Sequence, residues 1–357
     1  MNKVGIITLY GYANYGNRLQ NLAVQRLLQK RGFEVETITC RRSRIREMVH
    51  PVANTIKRVI LHDAKARRVL VFRRFEKRMN TYRIFYSKTL HLPRSLKESY
   101  EYFVTGSDQV WNIYFFRKDT FDGELDMYFL RFADDRQKIC ISPSIGVPRY
   151  REEDENTVRE ALKGFRYLSC REAQGAKELA RLSGKPVEQL IDPTLSLTPN
   201  EWKEMLPDAS GEGRKPYVFL YFLDGMSSEL KAFIHTYASG RYDIIDLSDR
   251  DSPLYSSDPA QFVSFLSNAR MVFTDSFHVV AFSIIFHIPF YVFDRLKMQN
   301  INSRIVSITD VTGLQDRYIG EQKEFNIQEN CDFARADEQL TIERKRFSDY
   351  LDKCFES

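Results

Sequence analysis

The chain has 357 residues, of which 43% are hydrophobic and 28% charged, and carries a net charge of +5. That length exceeds one ordinary domain and suits two, and the composition is that of a globular protein without low-complexity tracts. No run of 18 apolar residues occurs and Met1 to Ile7 lacks a signal-peptide profile, so the expected location is cytoplasmic. The cysteines (Cys40, Cys140, Cys170, Cys331, Cys354) are odd in number, far apart and never in a CxxC pair, which supports neither a disulfide framework nor a zinc site.

In chain order, Val4 to Leu9 reads as a strand and Tyr10 to Tyr15 as a turn. Leu19, Leu22, Ala23 and Leu27 follow at helical spacing, closed at Gly32. Phe33 to Ile38 is the next strand, with Cys40 at its end. This βαβ opening implies a parallel sheet with right-handed crossovers. From Arg41 to Arg94 the chain holds 16 Lys/Arg against three acids (Glu47, Asp63, Glu76), a local charge of +13. One reading is a solvated helical pair whose apolar face (Ile56, Val59, Ile60, Val69, Leu70, Phe72, Phe75) packs inward. Another is peripheral contact with an anionic membrane or a polyanionic acceptor. No zinc-finger or RNP-type motif supports a nucleic-acid partner.

The alternation then resumes. Tyr102 to Val104 is a strand leading into the turn Thr105 to Asp108, and Lys138 to Ser142 is another. Glu152 to Lys163 is helical, Tyr167 to Ser169 a strand, Glu172 to Leu182 a helix and Val187 to Ile191 a strand. Pro207 to Pro216 is a linker rich in Gly and Pro. After it come strands at 217–223, 242–247, 271–273 and 290–293, with helices at 228–237, 259–267 and 279–286. Leu340, Phe347, Leu351 and Phe355 share one face of a final helix. The expected fold is α/β, with two Rossmann-like domains facing a cleft (1–206 with the basic insert 41–94, then 216–330) and a helix at 335–357 docking back.

In open α/β sheets ligands sit beyond the carboxyl ends of the strands. The first such loop, Gly11 to Gly16, is neither GxGxxG nor a Walker A sequence, and no acidic residue closes the following strand, which disfavours NAD or ATP. Asn14, Tyr15, Asn17 and Gln20 instead offer neutral hydrogen-bonding groups to a sugar acceptor, or simply form a tight turn. In Gly106-Ser107-Asp108-Gln109-Val110-Trp111-Asn112, Asp108 is placed to deprotonate a hydroxyl and Trp111 to stack on a sugar, although a helix cap explains part of this. Arg171 opens a helix, where an arginine opposes the dipole. Recognition of a carboxylate or phosphate accounts for it, and so does an ion pair with Glu172 or Asp192.

Thr274-Asp275-Ser276-Phe277-His278 ends a strand and starts a helix. The N–H groups there favour an anion, and a bound dianion favours the imidazolium of His278 that the helix start disfavours. His287, one helix later, reads as structural.

Together these segments resemble the polysaccharide pyruvyl transferase family. The resemblance rests on Asn14-Tyr15-Gly16 with Leu19-Gln20, Gly106 to Asn112, Ser169 to Glu172, Asp192-Pro193-Thr194, Thr274 to His278, Arg304-Ile305 and Gly313-Leu314. It implies a GT-B-like fold and transfer of an enolpyruvyl unit from phosphoenolpyruvate to a sugar as a pyruvate ketal. The acceptor would belong to a bacterial-type polysaccharide, such as an exopolysaccharide or capsule, or to its lipid-linked precursor. His278 and Arg171 then map to the residues associated with phosphoenolpyruvate, with Ser276 and Phe277 at the anion site. Asp275 would orient His278 as acid, and Asp108 would serve as base, with no cofactor and no metal. Two departures stand out: similar sequences carry Gly where this chain has Val279, which narrows the anion site, and some carry Arg where it has Ser276. The rival readings are a GT-B nucleotide-sugar glycosyltransferase and a non-catalytic sugar- or membrane-binding homologue.

Overall fold

The computed structural model describes residues 2–11, 14–42, 63–86, 90, 92–207, 215–296, 303–320 and 325–356. The chain divides into two units. Unit 1 comprises Met1–Leu61, Glu76–Ser196 and Lys345–Ser357, and unit 2 comprises His62–Phe75 and Leu197–Arg344.

Unit 1 holds β1 (Lys3–Ile7), α1 (Tyr15–Gln29), β2 (Glu34–Arg42), β3 (Thr81–Tyr86), α3 (Arg94–Glu98), β4 (Tyr102–Asp108), α4 (Phe121–Tyr128) and β5 (Lys138–Pro143). Helix α2 (Ala64–Phe75), which lies between β2 and β3 in sequence, belongs to unit 2. Unit 1 continues with α5 (Glu152–Ala161), β6 (Leu168–Cys170), α6 (Ala173–Ser183) and β7 (Val187–Gln189). The five strands β3-β2-β1-β4-β5 form one parallel sheet, and β6 pairs with β7. This is the Rossmann order, whose direction reverses between β1 and β4.

Strands buried on both faces are apolar throughout, as in the fully buried Val4, Ile6 and Ile7. Helix α1 departs from that rule. It is buried along nearly its whole length yet carries Asn17, Arg18, Gln20, Asn21 and Gln25 inward. Each amide meets the sheet: Gln25 Nε2 donates to Thr37 Oγ1 (2.7 Å) and to the Asn80 carbonyl (2.8 Å), and Thr37 Oγ1 donates to Asn21 Oδ1 (2.8 Å). Satisfied in this way, buried polar groups select one helix position rather than merely allowing it.

Unit 2 holds α7 (Pro199–Met205), β8 (Tyr217–Tyr221), α8 (Ser228–Ala238), β9 (Asp243–Asp246), α9 (Pro259–Ser267), β10 (Met271–Thr274), α10 (Phe277–Phe286), β11 (Phe290–Phe293), α11 (Ser303–Thr312) and β12 (Tyr318–Gly320). Its parallel sheet runs β12-β11-β10-β8-β9, so the order reverses between β8 and β10. Helices α7 and α9 start with capping boxes at Thr198/Glu201 and Asp258/Gln261, each with proline in the first turn. Helix α10 is apolar apart from His278 and Ser283 and is buried from Phe277 to Ile285, as a helix enclosed by its neighbours must be.

The basic segment differs from the expected helical pair. Ile56, Val59 and Ile60 lie outside the described residues, and Thr81–Tyr86 is a strand pairing in parallel with β2. Strand β2 runs on to Arg42, so Cys40 lies inside it. Helix α2 packs in unit 2: Arg68 Nη2 donates to the Tyr221 hydroxyl (3.3 Å), and the guanidinium lies 4.5 Å from the centroid of the Tyr255 ring. The insert is therefore divided between the two units rather than belonging to the first.

Helix α12 (Ala334–Phe355) contributes to both units. In unit 2, Asp337 Oδ1 bonds His287 Nε2 (2.8 Å), with both side chains about half exposed. In unit 1, the Tyr350 hydroxyl donates to the Cys140 carbonyl (2.9 Å), Arg31 Nε donates to Asp352 Oδ1 (3.0 Å), and Phe355 packs on Phe33 and Tyr102. Its C-terminal half belongs to unit 1, and its N-terminal half, with Leu340 of the apolar stripe, to unit 2. Among the described residues no helix is long and apolar enough to cross a membrane.

Gly106 marks where β4 turns. Its φ is +118°, and a Cβ there would lie 2.2 Å from the Ile141 carbonyl oxygen. Gly106→Ala should destabilise unit 1 by roughly 1–3 kcal/mol. A lowered urea midpoint would register this, and an unchanged one would contradict the geometry.

Candidate active site

Each sheet places its expected motifs at its reversal point. In unit 1, β1 is followed by the α1 N-terminus and its neighbour β4 ends at Asp108. Gln20 spans the two, donating to Thr8 Oγ1 (2.7 Å) and accepting from the Ser107 N–H (3.1 Å). Asn17 Nδ2 donates to Asp108 Oδ2. Asp108 Oδ1 accepts from the Gln109 N–H (2.8 Å) and lies 3.5 Å from Arg171 Nη2.

Arg171 is the hub of this arrangement. It precedes the cap residue Glu172, and α6 itself begins at Ala173, so Arg171 stands one position before the helix cap rather than opening the helix. Its Nη1 lies 2.5 Å from Asp192 Oδ2, and both side chains are almost wholly buried. Asp192 in turn accepts from the Thr194 N–H (2.9 Å) and hydroxyl (2.7 Å) and from Ser107 Oγ (3.2 Å). Burial opposes the arginine's charge, but Asp192 and then Asp108 outweigh it, and the guanidinium pKa is raised. Of the two readings of Arg171, the geometry favours the internal ion pair.

This changes the acceptor reading too. Asn14 is exposed at the α1 N-cap, where Oδ1 accepts from the Asn17 N–H (3.3 Å). Tyr15, Asn17 and Gln20 are buried, the last at 0% exposure. Trp111 is also 0% exposed: its ring stacks on Phe129 (centroids 5.1 Å), packs edge-on to Phe165, and donates from Nε1 to the Tyr128 carbonyl. It is a core residue with no face to offer a sugar. Asp108, with both oxygens engaged, is a structural anion rather than an open base.

In unit 2, β10 ends at Thr274, whose Oγ1 donates to the Tyr221 carbonyl of β8 (2.6 Å) and accepts from the Ser276 N–H (3.0 Å). Ser276 is the N-cap of α10, but its side chain makes no capping bond. His278 therefore sits in the first turn of a helix that its own cap residue leaves uncapped, 7% exposed and edge-on to Phe277. Val279 is wholly buried in the unit's interior, so its methyls do not intrude on accessible space.

Asp275 departs from its expected role. Its Oδ1 accepts from the Leu223 N–H (2.7 Å) and its Oδ2 from the Asp224 N–H (3.1 Å). It clamps the β8 loop instead of orienting the imidazole. Burial pushes its carboxyl above the ordinary aspartate value, opposed by those two amides and by the charge of Arg295.

Two features were not read from sequence. Arg295, just past β11, adds positive charge near Asp275, and only the pairing of β11 with β10 reveals it. Glu76 gathers Arg18 (3.2 Å), Arg83 (2.9 Å) and Arg41 (3.6 Å). With Arg68 buried in unit 2, part of the +13 segment is thus engaged inside the fold. Among the described residues no cluster of His, Cys, Asp and Glu suits a metal ion.

A model of the family described as polysaccharide pyruvyl transferase matches residues 14–296, and the chain belongs to that family. The chain matches none of the curated proteins with which it was compared. Similar solved structures include UDP-GlcNAc 2-epimerase from Methanocaldococcus jannaschii (12% identity, 96% of this chain and 92% of that one, TM-score 0.47). A functionally uncharacterised protein from Klebsiella pneumoniae (10%, 90% and 92%, 0.46) and the glycosyltransferase SnogD from Streptomyces nogalater (13%, 98% and 95%, 0.38) are others.

Removing the arginine would strand two buried carboxylates. Arg171→Met should cost about 3–5 kcal/mol, and adding Asp192→Asn should recover part of that. Equal, additive losses in denaturant titrations would refute the coupling. Asp275 makes a second prediction. Its raised pKa means that the folded state binds the proton more tightly than the unfolded chain does. Its contribution to stability therefore falls as pH rises from the ordinary aspartate value towards the raised one. The stability difference between the native chain and Asp275→Asn should shrink over that acidic range, and a difference that grows with pH would contradict it.

Proposed function

We propose that the protein transfers the pyruvyl group of phosphoenolpyruvate to two hydroxyls of one sugar, forming a cyclic ketal. Family membership supports a transferase with a sugar acceptor. The observation that best supports this particular chemistry is His278, a proton donor in the first turn of α10 at the reversal point of unit 2. The α10 start, with the charge of Arg295 nearby, suits the phosphate and carboxylate of the donor.

In the reaction, His278 gives its proton to the methylene carbon, which becomes the methyl group, and C2 takes up positive character. One sugar hydroxyl adds to C2, phosphate leaves, and a second hydroxyl closes the ring. Of the two hydroxyl protons, one restores His278 and the other departs with phosphate. Unit 2 is the donor side in this reading. The acceptor is a residue of a polysaccharide or of its lipid-linked precursor.

His278→Ala should lower phosphate release from phosphoenolpyruvate, assayed with a lipid-linked oligosaccharide, by roughly 10²–10⁴-fold. Near-normal release by that variant would remove His278 from the role of acid.

A further inference from the structure

Four of the five residues expected to bind the acceptor are buried within unit 1. Unit 2 offers an alternative. A cavity of about 740 Å³ opens beside the carboxyl ends of β8 and β9, a size typical of small-molecule sites at about 300–1,000 Å³. Its walls carry the carboxylates of Asp224, Asp246, Asp249 and Asp251. Lys231 and Arg250 are its two permanent cations, and Leu220, Phe222 and Ile244 supply apolar surface.

Resting on the pyruvyl-transfer reading, we infer that this cavity binds the acceptor sugar, a neutral pyranose held through a vicinal diol by Asp246 and Asp224. Four carboxylates against two cations disfavour the strongly anionic phosphoenolpyruvate, so donor and cavity ligand are different molecules. Hydroxyl groups are the complementary donors, and the apolar wall suits the carbon face of a sugar ring. Asp224 Oδ2 is buried with no hydrogen-bond partner among the described residues, and a buried carboxylate oxygen calls for a donor. Asp246 is held in place through Oδ1, which accepts from the Ser248 N–H (2.8 Å) and from its hydroxyl. The cavity also adjoins the chemistry. The Asp224 N–H is bonded to Asp275, three residues before His278, and β8 and β10 are neighbours ending on the same side of the sheet.

The test is saturation-transfer NMR on the full chain, without phosphoenolpyruvate, using the methyl pyranosides of galactose, glucose and mannose, with uridine monophosphate as a separate arm. At least one pyranoside should bind. Asp246→Asn and Asp224→Asn should each weaken that binding by about tenfold or more. Asp251→Asn, in an exposed stretch of the cavity wall, gives a second variant if the first two fail to fold, and should also weaken binding. Pyranoside binding lost in these variants supports the cavity even if no phosphate is ever released. Binding of uridine monophosphate alone, or pyranoside binding and phosphate release that both ignore the substitutions, would overturn it. The second of these results would leave the pyruvyl-transfer reading standing.

Discussion

Where the strand order of a parallel sheet reverses, the chains leaving two neighbouring strands part in opposite directions, and the polar groups exposed there need partners. This protein meets the demand in the same manner twice. In each unit a buried aspartate at or just after the end of one central strand reaches the segment that follows the other. Asp108 at the end of β4 takes the amide of Asn17, and Asp275 just after β10 takes the N–H groups of Leu223 and Asp224. Both oxygens of each aspartate are engaged in holding these segments together.

The same constraint separates the roles of the two units. In unit 1 the charges are matched internally, with Arg171 between Asp192 and Asp108, and Glu76 among three arginines. Such networks hold loops in one arrangement, and the buried amides of α1 do the same for the helix. In unit 2 the polar groups at the strand ends face an uncapped helix start and a cavity, where partners from outside the chain are expected. On the proposed reading the chemistry falls to one of two sheets of the same design.

Much of the alternation was legible because parallel strands buried on both faces leave plain apolar runs: β11 and α9 were read to the residue. The strand Thr81–Tyr86 was not, since it lies in a cationic stretch and its partner β2 is distant in sequence. Of the site, the motif positions were legible and their partners were not. Asp108, Arg171 and Asp275 fall at strand ends and His278 in the helical turn that follows one. Yet Trp111, Gln20 and Tyr15 have side chains that serve a core as readily as a ligand, and composition cannot tell the two apart. Asp275 pairs with amides, which are present at every residue and so leave no mark in a sequence. The carboxylates of the unit 2 cavity, spread from 224 to 251, form no motif until the strands bring them together.

Helix α12 sets a condition on biogenesis. Its first half completes unit 2 and its second half completes unit 1, whose opening strand is made more than 300 residues earlier. On a ribosome, the sheet of unit 1 therefore stands without Tyr350 over Cys140, and without Phe355 against Phe33, until almost the whole described chain has been made. Unit 2 likewise draws on α2, synthesised long before its own first strand. Contacts so distant in sequence form late, because loop closure precedes the burial that rewards it. Neither unit reaches its final packing before α12 has been made.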